Sequence, residues 1–553
     1  MKPRWNRTLI LLVLLSVGLT SSNAELTSGG AARFRFEISF PESLQKEALD
    51  GRILLLFSRD FKNEPRFTAV NWRSPQPFFG VDVEGLKPGQ PAVFDEQTLG
   101  FPLDSIKEIP AGEYNVQAVL NVYTTFHRSD GHVVKMHMDQ WEGQQWNTSP
   151  GNLYSPPEKL KLDPAAGGTI HIALIQRIPP IPPPNDTRYI KNIKIRSELV
   201  SRFWGTEMSI GALVLLPEGF ETHPDARYPV AYLQSHFTPA FRNFVESPDN
   251  SFFKEWTSPN FPRFLLIVPQ DPNPFYDDSY AVNSANVGPY GDALTQELMP
   301  YVEQKFRAIG EPWARTLFGG STGGWRAFAV QVFYPDMFNG AWIFCPDPVD
   351  FRYFQLVNIY EDDNAYYSNG GWKKEPSRPW MRGIDDQVMA TQKQASIYEL
   401  VLGTKGRSGQ QLDIFQAVFG AVGNDGYPRP LYDPLTGKID REVATYWREH
   451  YDMSYIIQRD WATLGPKLNG KLHIYMGDTD TFYLEEATML LEKFLRSAKN
   501  PTFDGTIEYG KRSPHCWTGC ASGRNPTVCY LPAMAEHIRK TAPPGADVKS
   551  WQY

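Results

Sequence analysis

Residues 315–325 read Arg315-Thr-Leu-Phe-Gly-Gly-Ser-Thr-Gly-Gly-Trp325, and the reading of this stretch decides the fold. A short apolar strand runs into Gly319-Gly320-Ser321-Thr322-Gly323. Beyond it Trp325, Phe328, Ala329 and Val332 recur at helical spacing until Tyr334-Pro335 breaks the pattern. A chain that passes from strand to helix in so few residues must turn sharply. Gly319 and Gly323, two positions either side of Ser321, let strand, turn and helix approach where a Cβ would clash. Ser321 then stands at the carboxyl end of the strand, and the first free N–H groups of the helix, with its positive dipole end, aim at the same point. This is the layout of a nucleophile elbow, and it calls for a mostly parallel sheet flanked by helices.

The flanking sequence alternates as such a sheet requires. Ile210 to Leu216, Tyr228 to Leu233 and Phe264 to Val268 precede the elbow, and Ala341 to Cys345, Leu472 to Met476 and Thr506 to Tyr509 follow it. Continuous apolar runs suit strands covered on both faces. Leu294, Leu298, Tyr301 and Val302 mark a helix that packs on the sheet just before the elbow, with a kink expected at Pro300. Between about 346 and 470 lies a long insertion with several aromatics and no clear sheet character, which is read as a lid or pocket wall.

Upstream the texture is different. Phe34, Phe36, Ile38 and Phe40 alternate with polar residues, Ile53 to Phe57 is continuously apolar, and Tyr114 to Tyr123 and Gly168 to Leu174 also read as strands. No amphipathic helix interrupts them, so residues 25–177 are expected to form an all-β sandwich domain. His127, His132 and His137 lie five apart, which places successive ones on opposite faces of a strand and argues against a metal site. Ile178-Pro-Pro-Ile-Pro-Pro-Pro-Asn185 then forms a stiff connector, so a Pro-rich linker spans 178–188 and the hydrolase domain 189–553. At the start of the chain, Lys2, Arg4 and Arg7 precede an apolar run to Leu19 and the small residues Ser22-Asn23-Ala24. Residues 1–24 therefore read as a signal peptide, with a secreted or periplasmic location expected and no stable membrane span.

The net charge of −7 argues against a nucleic-acid partner. The 15 Trp, 26 Tyr and 34 Phe would suit sugar-ring or phenolic ligands, though a large core uses most of them. Of the four cysteines, Cys520 with Cys529 closes a short loop, which leaves Cys345 for Cys516; the absence of a C-x-x-C pair argues against zinc.

A serine hydroxyl needs a neutral imidazole to take its proton. His127, His132, His137 and His171 belong to the first domain, His223 and His236 precede the elbow, His450 sits in the insertion, His473 lies inside a strand, and His537 is on the terminal helix. His515 remains, on a loop returning to the carboxyl edge of the sheet after Tyr509. An acid to orient it should follow the preceding strand, where Gly477-Asp478-Thr479-Asp480 offers two; Asp480 is preferred by its distance from the glycine, and Asp478 stays open. For the developing oxyanion, Thr322 should give one backbone N–H, and His236 or Phe237, in the loop after the third strand, the other. This chemistry requires no metal and no organic cofactor.

Three stretches carry a family resemblance: Tyr228-Pro-Val-Ala-Tyr-Leu233, Glu297-Leu-Met-Pro-Tyr301, and Gly319-Gly-Ser-Thr-Gly-Gly324 with Tyr334-Pro-Asp-Met-Phe338. Over roughly residues 190 to 540 the chain resembles the esterase family of α/β-hydrolases that includes esterase D, enterobactin esterase, feruloyl and acetylxylan esterases and the mycobacterial mycolyltransferases. It departs from that family at Ser235-His236, where members usually carry His-Gly. The resemblance implies a secreted serine carboxylic-ester hydrolase working through an acyl-enzyme on Ser321, with a small-molecule or carbohydrate-linked ester, of a sugar or a phenolic acid, as substrate. An acyltransferase of the same fold and a catalytically inactive secreted binding protein are the competing expectations.

Overall fold

The computed structural model describes residues 33–368, 376–521 and 524–553. The expected signal segment, 1–24, lies outside the described residues.

The hydrolase half is built on eight strands, numbered here within their sheet: β1 (Ile190–Arg196), β2 (Ser209–Leu215), β3 (Val230–Gln234), β4 (Leu265–Gln270), β5 (Arg315–Gly320), β6 (Ala341–Phe344), β7 (Leu472–Gly477) and β8 (Thr506–Gly510). Their order is β1-β2-β4-β3-β5-β6-β7-β8. Only β2 runs against its neighbours; from β4 to β8 every pairing is parallel. This is the α/β-hydrolase arrangement. A parallel sheet gathers the carboxyl ends of its strands along one edge, and β5, at the centre, is almost wholly buried. The strand of this sheet missed in the sequence is β1: its alternation of Ile with Lys, Asn and Arg offers no continuous apolar run of the kind that marks the other strands.

The elbow helix α1 (Thr322–Phe333) lies on the sheet with Trp325, Phe328, Ala329 and Val332 all buried, as their spacing required. The segment before β5 corrects the expected kink. Residues 290–305 wind as one continuous helix, with a π stretch over Ala293–Leu298 that leads into Pro300. The wider turn absorbs the missing N–H and the ring, and Tyr301 faces out, 41 % exposed.

The insertion is more ordered than its sequence suggested. It holds a two-stranded ribbon, Pro379–Arg382 with Val388–Thr391, and helices α2 (Gln392–Leu402) and α3 (Gln411–Phe419) among others. A capping box at Thr391 and Gln394 starts α2.

The strands before residue 178 form two sheets, one of three strands and one of eight, and residues from both share a core that includes Phe36, Ile38, Ile53, Leu55, Val116 and Ile172. The outer face of the larger sheet is also covered: Leu54, Leu56 and Val119 pack on Tyr398, Val401 and Leu402 of α2. Arg52, buried, donates to the carbonyls of Val401 and Leu400 at 2.8 and 3.1 Å. Phe126, Val134 and Met136, at the far end of this sheet, join the hydrolase core. Cys520 and Cys529 are joined in a disulfide. Cys345 and Cys516 are free thiols, so the expected second bond is not formed, although their sulfurs are 3.0 Å apart. Among the described residues no helix is long and apolar enough to cross a membrane.

Candidate active site

Ser321 sits between β5 and α1 with φ of 58° and ψ of −127°. An L-residue takes such a conformation only when its surroundings impose it. Here a Cβ on Gly323 would fall 2.1 Å from the Gln234 carbonyl oxygen and one on Gly319 would fall 2.4 Å from the Gly323 oxygen. The two glycines allow β3, β5 and α1 to touch through their backbones, and the turn has no room to relax. The strain holds the serine side chain out at the sheet edge.

His515 reaches that point from the loop after β8. Its Nε2 lies 2.8 Å from Ser321 Oγ and its Nδ1 lies 2.7 Å from Asp480 Oδ2. Asp480, fully buried, also accepts the Phe482 N–H at 2.8 Å. Arg382 donates to the Asp480 carbonyl, and the Phe482 ring stands edge-on to the imidazole with centroids 5.0 Å apart. Of the two acids left open in the sequence, Asp480 is the one His515 touches. Asp478 instead donates its backbone N–H to Gly510 at the end of β8.

Burial works against a charge on His515, but the hydrogen bond to Asp480 and the neighbouring Cys516 outweigh it and push the imidazole up to about 10. Cys516, exposed at the surface, moves the other way, down to about 5, through its contacts with Cys345 and with His515. The resting site therefore favours an imidazolium, and the sulfur beside it is one reason.

Thr322 and His236 bring free donors. Neither backbone N–H has an acceptor among the described residues. The Thr322 side chain is tied back, donating to Asp347 Oδ2 at 2.9 Å, and the Tyr280 hydroxyl donates to the same oxygen at 2.6 Å. Burial pushes the Asp347 carboxyl up, against these two hydrogen bonds. His236 lies in the loop after β3 with Nδ1 3.1 Å from Asp277 and 3.2 Å from Asp278. Burial opposes its charge, yet the two carboxylates hold it well above the usual imidazole range. Phe237, the other candidate, has its ring packed on Trp141 of the β-rich half, with centroids 5.6 Å apart.

Among the described residues two groups have ligand atoms close enough for a metal ion: Cys345, His515 and Cys516, and His236, Asp277 and Asp278. In the first, both His515 nitrogens are engaged by Ser321 and Asp480. In the second, Arg326 already lies 3.5 Å from Asp278, and the protonated His236 balances the remaining charge. Both are read as proton and ion-pair sites. His137, from the histidine trio, is closed off inside the first half by Asn121 and Glu142.

Beside Gly320 a cavity of about 350 Å³ opens, bounded by His236 and Cys516 near the site and by Phe241, Phe252, Phe318 and Phe344 deeper in.

Asp347, Tyr280 and Arg326 were not found from the sequence. For Arg326 a signal existed: it is the only charged residue in α1, and a charge in a helix otherwise built for burial has to be paired.

Comparison with known proteins agrees with the resemblance read from the sequence. A family model described as "Putative esterase" matches residues 205–405, from before β2 through the elbow and into the insertion. Among solved structures the chain is similar to a ferulic acid esterase (12 % identity, TM-score 0.34, covering 64 % of this chain and 98 % of that one). It is also similar to an S-formylglutathione hydrolase from Agrobacterium tumefaciens (13 %, 0.34, 64 % and 97 %) and to the fluorophosphonate-binding serine hydrolase FphF from Staphylococcus aureus (15 %, 0.33, 63 % and 99 %). A comparison with curated proteins finds no match. The strand order carries the fold, and the match over residues 205–405 carries the class of reaction, ester hydrolysis.

Proposed function

We propose that the protein is an exported carboxylesterase in which Ser321 is the nucleophile, His515 the general base and acid, and Asp480 the group that orients His515. The observation that carries this reading is the unbroken line Asp480, His515, Ser321, with each nitrogen of the imidazole bonded to a different partner. In the neutral imidazole Nδ1 keeps the proton and donates it in a hydrogen bond to Asp480, which leaves the Nε2 lone pair facing the serine hydroxyl.

Ser321 Oγ attacks the ester carbonyl carbon as its proton passes to His515 Nε2. The carbonyl π electrons move onto oxygen, where the N–H of Thr322 and of the loop after β3 receive the negative charge. The intermediate collapses, the bond to the alcohol oxygen breaks, and His515 returns the proton to that oxygen. Water then repeats the sequence on the acyl-enzyme, giving its proton to His515 and releasing the acid and the serine hydroxyl.

The aromatic walls of the cavity beside Gly320 support an apolar or phenolic group on one side of the ester, and esters of sugars or phenolic acids are the substrates assigned here. Export rests on the amino-terminal pattern of charge, apolar run and small residues.

A fluorophosphonate probe tests the reading directly. It should label Ser321 in the native protein, as shown by peptide mass spectrometry, and the label should vanish in Ser321→Ala. Hydrolysis of nitrophenyl acyl esters and of feruloylated or acetylated sugars by the native protein, lost in the same variant, would complete it. An unlabelled Ser321 in folded protein would sink the proposal.

A further inference from the structure

Arg326 is fully buried, and its partners all lie beside the site. Nη1 donates to the Ser235 carbonyl oxygen at 2.8 Å, Nη2 donates to Asp271 Oδ1 at 2.7 Å, and Nη1 lies 3.5 Å from Asp278 Oδ1. Asp271 is fixed in turn by the backbone N–H and the hydroxyl of Ser279. Asp278, with Asp277, holds the imidazole of His236. A guanidinium without water needs this many anions and carbonyls to be tolerated. The set of partners also ties α1 to the loop that follows β3.

The backbone carbonyl among those partners has a geometric consequence. A trans peptide is planar, and its C=O and N–H point to opposite sides. With the Ser235 oxygen held toward Arg326, the N–H of His236, in the same peptide, is turned away from the guanidinium. That N–H has no acceptor among the described residues. The loop is also seated on α1 by contact, since a Cβ on Gly323 would come within 2.1 Å of the Gln234 oxygen and 3.4 Å of the Ser235 nitrogen. Phe237 serves another purpose: a Cβ on Gly143 would lie 2.6 Å from its ring, so the side chain is clamped against the β-rich half.

We infer that Arg326 is a positioning residue that sets the Ser235–His236 peptide, so that the N–H of His236, and not that of Phe237, is the second donor to the oxyanion. The inference rests on the reading of Ser321 as nucleophile. It makes α1 the common origin of both donors: the helix supplies the Thr322 N–H itself and fixes the other through a side chain five residues from the nucleophile.

Two variants and one complex test it. Arg326→Lys keeps the charge and loses the fork, and Arg326→Met combined with Asp271→Asn removes the guanidinium together with its main carboxylate partner. With active sites counted by fluorophosphonate titration, kcat per site should fall by about ten- to a hundredfold in the first and by about a hundred- to a thousandfold in the second, with KM within about twofold of the native value. Affinity for a trifluoromethyl ketone, which forms a tetrahedral oxyanion on Ser321, should fall by the same factors. A residue that only supported the fold would lower the melting temperature and the number of titratable sites, and leave kcat per site unchanged; that result would overturn the inference. The crystal structure of the native protein with the ketone needs no variant to fold. It should place the oxyanion about 2.7–3.1 Å from the nitrogens of Thr322 and His236. Finding the Phe237 N–H there instead would also overturn it. If the native protein is not labelled at Ser321, the parent reading fails; if it is labelled and the Arg326 variants turn over at the native rate per site, this inference alone fails.

Discussion

Each half of the molecule contains a serine, a histidine and a carboxylate in contact, and only one set is arranged for chemistry. In the β-rich half, His137 Nε2 meets both Glu142, at 2.6 Å, and the Ser149 hydroxyl, at 3.2 Å, while Nδ1 meets Asn121 at 2.6 Å. The serine and the acid share one nitrogen, and all three side chains are buried: Ser149 1 %, His137 3 % and Glu142 8 % exposed. In the hydrolase half, Asp480 and Ser321 take opposite nitrogens of His515, and the serine stands on a strained turn at the sheet edge. The first set is a satisfied hydrogen-bond cluster that ties a loop to a sheet. The second is a relay with one open end. Residue types alone do not separate them; the assignment of nitrogens and the access to the serine do.

Substitutions can break this contrast, and the largest effect should come at the serines. Ser321→Ala should lower kcat/KM by at least about a thousandfold in a folded protein, whereas Ser149→Ala should leave turnover within about twofold, both read with a nitrophenyl ester. Asp480→Asn should cost about a hundredfold or more in kcat by disfavouring the working tautomer, with Asp478→Asn much closer to native; equal losses would mean that the two acids share the role. Cys516→Ser sharpens the account of the base. The rate needs neutral His515, so it should rise with pH toward the alkaline side, where burial is outweighed by Asp480 and Cys516. Removing the anionic sulfur lowers the proton affinity of the imidazole, so the midpoint of kcat/KM against pH should move to lower pH; a shift upward would contradict this. The smallest effect on turnover is expected from Glu142→Gln, which should instead reduce stability by about 1–3 kcal/mol in urea unfolding by weakening a buried charge-assisted hydrogen bond.

Local pattern carried much of this site. The glycines around Ser321 encode the turn because their spacing is itself the geometric requirement, and His515 follows from the order of strands. The sequence preferred Asp480 but left Asp478 open, because both leave β7 within one turn and only the direction of that turn tells them apart. The choice between His236 and Phe237 stayed open for a similar reason: the Ser235 carbonyl is held by Arg326 of α1, and no local pattern shows that contact. Arg326, Asp271 and Asp278 were invisible as a group because they come from an interior helix and a distant loop, and no periodicity links them. The strand β1 was lost to its neighbours, since an amphipathic heptapeptide after a proline run carries no sign that a sheet edge awaits it. The cysteines show the same limit: the pair nine residues apart is bonded, while Cys345 and Cys516 meet only through the fold.

The covering of the first large sheet by α2 has a consequence for how the chain reaches its native state. Arg52 and the Val401 carbonyl it binds are 349 residues apart. When the amino-terminal strands are first made, Ala69, Phe78, Phe101 and Trp146 cover only part of the face that holds Leu54, Leu56 and Val119, and the area under Tyr398, Val401 and Leu402 stays bare until most of the polypeptide has followed. A contact closed over such a span forms late and slowly, and the bare apolar surface is meanwhile a target for other chains. The two ends of the synthesis are thereby made to wait for each other, and a fragment cut at the proline run should be sticky on both sides of the cut.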